Sequence, residues 1–335
     1  MAELTKILSI DGGGIRGIIP GQVLIFLENK LREKTGNPDA KIGEFFDLIA
    51  GTSTGGILTC IFLCPGEGDS SGKPRFSAQE AVDLYLDRGD DIFDLSLWQK
   101  IGSLGGVIDE KYNADGLEDA LLEYLDGLKL SDLLKPCLIT AYDIEHRCAK
   151  FFTQHDAVKD QSQDFYLKDV ARATSAAPLY FEAAKIKSMN DEPFPLIDGG
   201  VFANNPALCA YAEVRHKFDN HPKAKDMVIL SLGTGYIKKT YPYDKAKDWG
   251  ALSWIRPVID IIMSGVSETV DYQLSQIYDA VDCEKQYVRI NSDLQYANPE
   301  MDDISSGNLD NLKREGIRIA AEFEPQLDDF VEYLT

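Results

Sequence analysis

Positive charge is in short supply in this chain. Its 34 lysines and arginines stand against 55 aspartates and glutamates, a net charge of −21. A nucleic-acid partner needs a basic face to neutralise phosphates, so the deficit argues against that class. It argues equally against electrostatic docking on anionic lipid, which leaves apolar, local contact as the route to any membrane. Cysteine is sparse too: six in 335 residues, mostly inside apolar segments, which suits reduced buried thiols better than a disulfide framework. Cys60 and Cys64 lie four apart on an expected helix, a possible metal pair. No Cys or His cluster stands near them, so core packing is the better reading and no metal or cofactor is expected. No run approaches the roughly 18 apolar residues of a spanning helix. The start, Met1-Ala2-Glu3-Leu4-Thr5-Lys6, lacks the basic-then-apolar order of a secretory leader. A cytoplasmic location, with at most peripheral membrane contact, is the expectation. Histidine is the last scarcity, with four in the chain.

What the chain does hold is a stretch that changes character twice in a few residues. Leu48-Ile49-Ala50 suits a buried parallel strand, Gly51-Thr52-Ser53-Thr54-Gly55 follows, and Ile57 to Cys64 suits a buried helix. Gly-x-Ser-x-Gly between strand and helix is the pattern of a nucleophile elbow. Gly51 and Gly55 remove the side chains that would clash in the sharp reversal, and Ser53 is carried to a helix N-terminus whose dipole favours developing negative charge. A small-residue turn without chemistry is the competing reading, and the flanking strand and helix favour the elbow.

Upstream, the strand Lys6-Ile7-Leu8-Ser9-Ile10 runs into Asp11-Gly12-Gly13-Gly14-Ile15-Arg16-Gly17 and then a helix to about Lys34. Gly12, Gly14 and Gly17 match G-x-G-x-x-G, but a dinucleotide site wants an acidic residue about twenty positions on at the end of the second strand. Here that strand ends in the elbow, and Glu33 falls inside the first helix. Gly12, Gly13 and Gly14 instead offer backbone N–H groups to an anion, an oxyanion hole if the loop lies beside the elbow. Arg16 either adds a cation to that face or pairs with a carboxylate; the sequence leaves both open.

Further on, Ser77 with Glu80 forms a capping box for a helix to about Arg88. Asp90 to Gly106 is apolar but aperiodic, a loop packed on the core or else a lid or substrate-facing wall. A strand at Lys135–Tyr142 pairs with Ala149–Thr153 across a turn holding His146, and Ser175 lacks elbow glycines and reads as a structural or pocket residue. The apolar strand end Pro195-Leu196-Ile197 leads to Asp198-Gly199-Gly200, where Asp198 is either a base or a turn residue bonding its own backbone. Trp249 to about Tyr278 is expected as helix interrupted at Pro257 and near Gly265, and Leu309 to Leu334 as one closing helix. No repeat or flexible linker appears, so residues 1–335 are expected as one domain, with a motif-bearing core at about 5–240 and a C-terminal helical part and late strand at about 245–335.

A serine nucleophile needs a base, and elbow enzymes usually supply Ser, Asp and His in that order. His146 and His155 precede Asp198, while His216 and His221 lie in polar, solvated surroundings. None has the setting of a catalytic imidazole, which leaves Asp198 as a direct base.

Taken together, Asp11 to Gly17, Gly51 to Gly55 and Asp198-Gly199-Gly200, in that order, resemble the patatin-like phospholipases. Ala173-Thr174-Ser175-Ala176-Ala177-Pro178, Leu230 to Gly235 and Glu300-Met301-Asp302-Asp303 extend the likeness over nearly the whole chain, the plant patatins included. The resemblance implies a three-layer α/β/α sandwich with a mainly parallel sheet and a Ser–Asp dyad without histidine or calcium. It also implies lipid acyl hydrolase activity on phospholipid or other acyl-ester lipids. It assigns Ser53 as nucleophile, Asp198 as base and the Gly12, Gly13 and Gly14 amides as oxyanion hole. Unlike the plant storage members the chain shows no secretory signal, which suits a bacterial-type intracellular enzyme. Acyl transfer through the same intermediate, or a non-catalytic storage or lipid-binding role, are the alternatives.

Overall fold

Short aliphatic runs set the strands. The computed structural model describes residues 4–92, 115–125, 127–237 and 240–335. Its strands are β1 (Thr5–Ile10), β2 (Leu48–Thr52), β3 (Cys137–Asp143), β4 (Cys148–Thr153), β5 (Ala184–Lys187), β6 (Pro193–Asp198), β7 (Met227–Leu232) and β8 (Tyr287–Ile290). They form one sheet in the order β5-β6-β3-β2-β1-β7-β8, with β4 beside β3 off this path. The β3-β2-β1-β7-β8 stretch is parallel throughout. By contrast β4 and β6 pair antiparallel with β3, and β5 antiparallel with β6.

Side chains alternate across a strand, so each strand of a covered sheet must be apolar on both faces. Leu8, Ile10, Ile49, Ile139 and Leu230 belong to one buried cluster. Their neighbours Ile7, Leu48, Leu138 and Ile229 belong to the other. The larger cluster is completed by α1 (Ile18–Thr35), α2 (Thr54–Leu63), α3 (Ala78–Ile92), α4 (Asp115–Leu125) and α5 (Leu167–Thr174). The smaller cluster takes Ala210 and Val214 from α6 (Ala207–Lys217) and Leu274 and Tyr278 from α7 (Ala251–Asp279). Finally α8 (Ser306–Glu322) and α9 (Glu324–Leu334) pack Leu312 and Phe330 back onto the larger side. Helices on both faces of a mainly parallel sheet are the α/β/α sandwich expected. No described helix is long and apolar enough to cross a membrane.

Three boundaries differ from expectation. The Ser77–Glu80 capping box forms, Glu80 accepting from the Ser77 N–H at 2.8 Å, but its helix runs on to Ile92. Helix α7 is continuous through Pro257 and Gly265. Pro257 stands in its second turn, where it gives up the bond to the Ser253 carbonyl and its ring crowds that carbonyl, yet the helix continues. The closing segment is two helices rather than one, because Pro325 in the first turn of α9 cannot continue α8 past Phe323. The apolar stretch beyond Ile92, read as a packed loop or as a lid or substrate-facing wall, lies outside the described residues.

Candidate active site

Register alone brings the three motifs to one row. Ile10 of β1 pairs with Gly51 of β2, and Gly51 with Ile139 of β3. Thr52 pairs with Thr140, and Ala141 with Asp198 of β6. Counting on from these pairs, Ser53 and Asp198 fall on the same row. Although β6 is antiparallel, it pairs only with the last three residues of β3, so its final residue still reaches the C-terminal edge of the parallel strands. Ligands bind outside that edge in open α/β sheets.

Ser53 adopts φ 54°, ψ −121°, a conformation that costs a non-glycine residue of order 1–3 kcal/mol and must be imposed by its surroundings. Close packing does this. A Cβ on Gly51 would lie 2.1 Å from the Gly55 carbonyl oxygen, and one on Gly55 2.1 Å from that of Ile10. The Ser53 N–H donates to Thr174 Oγ1 at 2.9 Å, and Thr174 Oγ1 donates to the Thr140 carbonyl at 2.7 Å. The turn is thereby tied to β3 through α5.

Asp198 is 5% exposed and Ser53 7%. The two side chains face the same cavity, the Ser53 hydroxyl close enough to favour the Asp198 carboxylate, and Asp198 Oδ1 accepts the Gly200 N–H at 2.7 Å. Burial pushes the Asp198 carboxyl up to about 6, with the Ser53 hydroxyl and the Gly200 N–H opposing it. A carboxylate so placed changes protonation near neutral pH, where a general base is most useful. Gly199 packs against Thr140, which fixes the strand end beneath Asp198.

Both side chains line a cavity of about 190 Å³, together with Gly13 and Gly14. Its walls are apolar, with Ile57 from α2, Leu84 from α3, Leu117 and Leu121 from α4, and Ile259 and Met263 from α7. Ser175 lines it as well, its hydroxyl donating to the Ala171 carbonyl. No histidine lines it among the described residues. His146 pairs with Asp143 at 2.9 Å, His155 with Glu213 at 2.8 Å, His221 with the Arg215 carbonyl at 3.0 Å, and His216 is exposed.

The glycine loop differs in part from expectation. A Cβ on Gly12 would lie 3.3 Å from Ser53 Cβ, so the loop does abut the elbow. The Gly12 N–H, however, donates to the Asn204 carbonyl at 3.1 Å and is spent on holding the loop. Gly13 and Gly14, which reach the cavity, have N–H groups that donate to no described residue. Arg16 forms no ion pair among the described residues, which goes against the carboxylate-partner reading. Its Nε donates to the Gly13 carbonyl at 3.3 Å and its Nη1 to the Gly235 carbonyl at 3.4 Å, so it ties the loop to the segment after β7.

Sequence reasoning missed a buried ion pair under the same loop. Arg289 of β8 donates from Nη1 to Asp11 Oδ1 at 2.8 Å and from Nη2 to Oδ2 at 2.5 Å, and also from Nη1 to Ser231 Oγ at 2.8 Å. Burial pushes the Asp11 carboxyl up, and the facing guanidinium opposes it. Removing one partner of such a pair strands a buried charge, at about 3–5 kcal/mol. Arg289→Met is therefore expected to lower unfolding stability by that order in a denaturant titration, while Asp11→Leu combined with Arg289→Met recovers much of the loss.

Elsewhere, His155, Asp156 and Glu213 bring one ligand atom each within 4.8 Å of one another. Lys217 Nζ already sits 2.7 Å from Asp156, where a metal ion would have to compete with an ammonium. The Cys60 and Cys64 thiols are buried, and burial pushes Cys64 up to about 11, as inert core thiols require.

A mainly parallel sheet between helix layers, with Ser53 in a sharp strand-to-helix turn beside a buried carboxylate on an apolar cavity, is an α/β/α protein with a candidate hydrolase site. A family model described as patatin-like phospholipase matches residues 8–211. Patatin-like protein 2 of Oryza sativa subsp. indica is 36% identical over 94% of this chain and 83% of its own length. Patatin-like protein 3 of Arabidopsis thaliana is 35% identical over 87% and 74%. Patatin group D-2 of Solanum tuberosum is 33% identical over 94% and 84%. The chain belongs to the patatin-like phospholipase family, and so to the lipid acyl hydrolases in the general sense, with lipid esters as its substrate class.

Proposed function

We propose that the protein cleaves fatty acyl esters through an acyl-Ser53 intermediate, with Asp198 as the base. Asp198 takes the Ser53 proton as Oγ adds to the ester carbonyl, and the tetrahedral oxyanion is held by the Gly13 and Gly14 amides. Collapse breaks the ester bond, and the Asp198 carboxyl returns its proton to the leaving alcohol. A water molecule, deprotonated in turn by Asp198, then releases the fatty acid and restores the serine.

One observation carries the reading: Ser53 and a buried carboxylate raised to about 6, which the serine hydroxyl favours, line the same apolar cavity. A turn aspartate bonding only its own backbone needs neither the serine nor that burial. The apolar walls support an acyl chain as the cavity's occupant, and peripheral contact with a lipid surface follows from a substrate that resides there. The net charge of −21 supports lipid rather than nucleic acid as the partner. The same reading takes the chain as one domain, since β8 completes the sheet and α8 packs on the larger side with α1.

A fluorophosphonate probe, which phosphonylates activated serines, tests the nucleophile directly. One adduct per chain is expected by intact mass, mapped to the Ser53 peptide and absent in Ser53→Ala. Labelling of another serine, or of none, sinks the assignment.

A further inference from the structure

Helix α7 changes character at its middle. From Val270 onward it buries one face, with Val270, Leu274 and Tyr278 packed in the smaller core at i, i+4 and i+8. Between Ala251 and Thr269 none of the described side chains is buried. Yet that half holds four isoleucines, two valines, a leucine, a methionine and a tryptophan. Leu252 is 77% exposed, Val258 40%, Ile261 46% and Ile262 41%. A helix this apolar is ordinarily buried in protein or set in lipid, and a rimmed apolar patch marks a contact site.

The stripe is continuous with the cavity. At 100° per residue, Trp254, Val258, Ile261 and Ile262 (i, i+4, i+7, i+8) share one side of the helix. Ile262 also lines the cavity that holds Ser53, beside Ile259 and Met263 on the adjoining side. A lipid drawn off a surface covering this stripe would enter the cavity without its acyl chain crossing water.

Charge selects the surface. Helices that lie on anionic membranes carry lysine and arginine along their polar side. Helix α7 has no lysine and one arginine, against four acidic residues. Asp260, within the apolar half, accepts a hydrogen bond from Tyr241 at 2.7 Å. Asp260 and Glu300 both act electrostatically on Arg16 in the glycine loop. With −21 on the whole chain, anionic headgroups would be repelled.

We propose that the N-terminal half of α7, from Leu252 to Ile262, is the element that docks the protein on an uncharged, zwitterionic phospholipid surface. This rests on the reading of the cavity as the acyl-ester site, which it deepens by naming the docking element and the surface chemistry. The test is co-flotation of the full chain with phosphatidylcholine vesicles, with and without added phosphatidylserine. Alongside it, hydrolysis of vesicle lipid is compared with hydrolysis of a soluble short-chain ester. Wild type floats with phosphatidylcholine, and phosphatidylserine weakens the binding. Ile261→Glu, and the milder pair Val258→Ser with Ile261→Ser, lower flotation and vesicle hydrolysis about tenfold. Short-chain ester turnover stays at the wild-type level, because neither residue lines the cavity.

Unchanged flotation in both variants overturns the proposal, as does tighter binding to phosphatidylserine vesicles. Equal loss on both esters in the milder variant means the stripe packs on the protein itself, which also overturns it. A lipid-free dimer in sedimentation equilibrium that Ile261→Glu dissolves would assign the stripe to a second copy instead. If wild type hydrolyses neither ester, the acyl-hydrolase reading fails while flotation still decides the docking.

Discussion

Ser53→Ala is expected to lower hydrolysis of a long-chain fatty acyl ester on the order of 10⁴–10⁶-fold, with the fold intact. The size follows from other serine hydrolases, in which loss of the nucleophile removes nearly all catalysis except that of oxyanion donors and substrate binding. The fold should hold because the features that shape the elbow are backbone ones. Thr174 accepts the residue-53 N–H whatever the side chain, and the glycine contacts at Gly51 and Gly55 do not involve it. Alanine also bears the positive φ of 54° no worse than serine does. The Ser53 hydroxyl opposes the upward push of burial on Asp198, so the carboxyl of the variant should titrate higher still. Initial rates on a long-chain ester, with a thermal melt of the same samples, separate the two effects. Undiminished hydrolysis in a folded Ser53→Ala protein ends the acyl-serine mechanism.

The parts of this site that were legible in the sequence are those fixed locally. Gly51-Thr52-Ser53-Thr54-Gly55 carries its own geometry, because the clashes its glycines avoid lie within the strand, the turn and the adjoining strand end. Asp198 was legible as a strand end before two glycines, and the lack of a suitably placed histidine pointed to it. What brings it level with Ser53 is the short antiparallel pairing of β6 with the end of β3, and no local pattern distinguishes that from a parallel strand. The Asp11–Arg289 pair spans 278 positions and depends on β8 closing the sheet beside β7, so neither residue announces the other. Three glycines in a row suggested three free amides, yet one is taken by the Asn204 carbonyl, a contact set by the segment after Asp198. Proline misled twice in opposite directions. Pro257 lies inside a helix that continues through it, while Pro325 sits where one helix must end and the next begin.

Asp198→Asn is expected to cost about 10²–10⁴-fold in hydrolysis, the usual contribution of a positioned base, and to make the protein more stable at neutral pH. Both effects come from one cause. Burial raises the Asp198 carboxyl from 3.8 to about 6, so the native state holds this proton more tightly than the unfolded chain does. For an acid raised in this way, stability falls as pH climbs between those two values, and above about 6 the fold bears the full cost of a buried charge. A shift of that size corresponds to about 3 kcal/mol, which a neutral amide avoids. Asparagine can still accept the Gly200 N–H through its side-chain oxygen, so the turn has no reason to open. Unfolding at pH 8 should therefore favour the variant by up to that amount, and at pH 4, where the wild-type carboxyl is already protonated in the fold, the difference should shrink towards zero. Activity runs the other way in wild type, with kcat/KM rising through about pH 6 as the base ionises and that limb vanishing in Asp198→Asn. A stability difference independent of pH would mean that Asp198 titrates normally and that its burial imposes no charge cost. Hydrolysis that survives Asp198→Asn would move the base elsewhere, with the described histidines all outside the cavity. Neither result can come from a misfolded protein, because the first requires a cooperative transition and the second requires turnover.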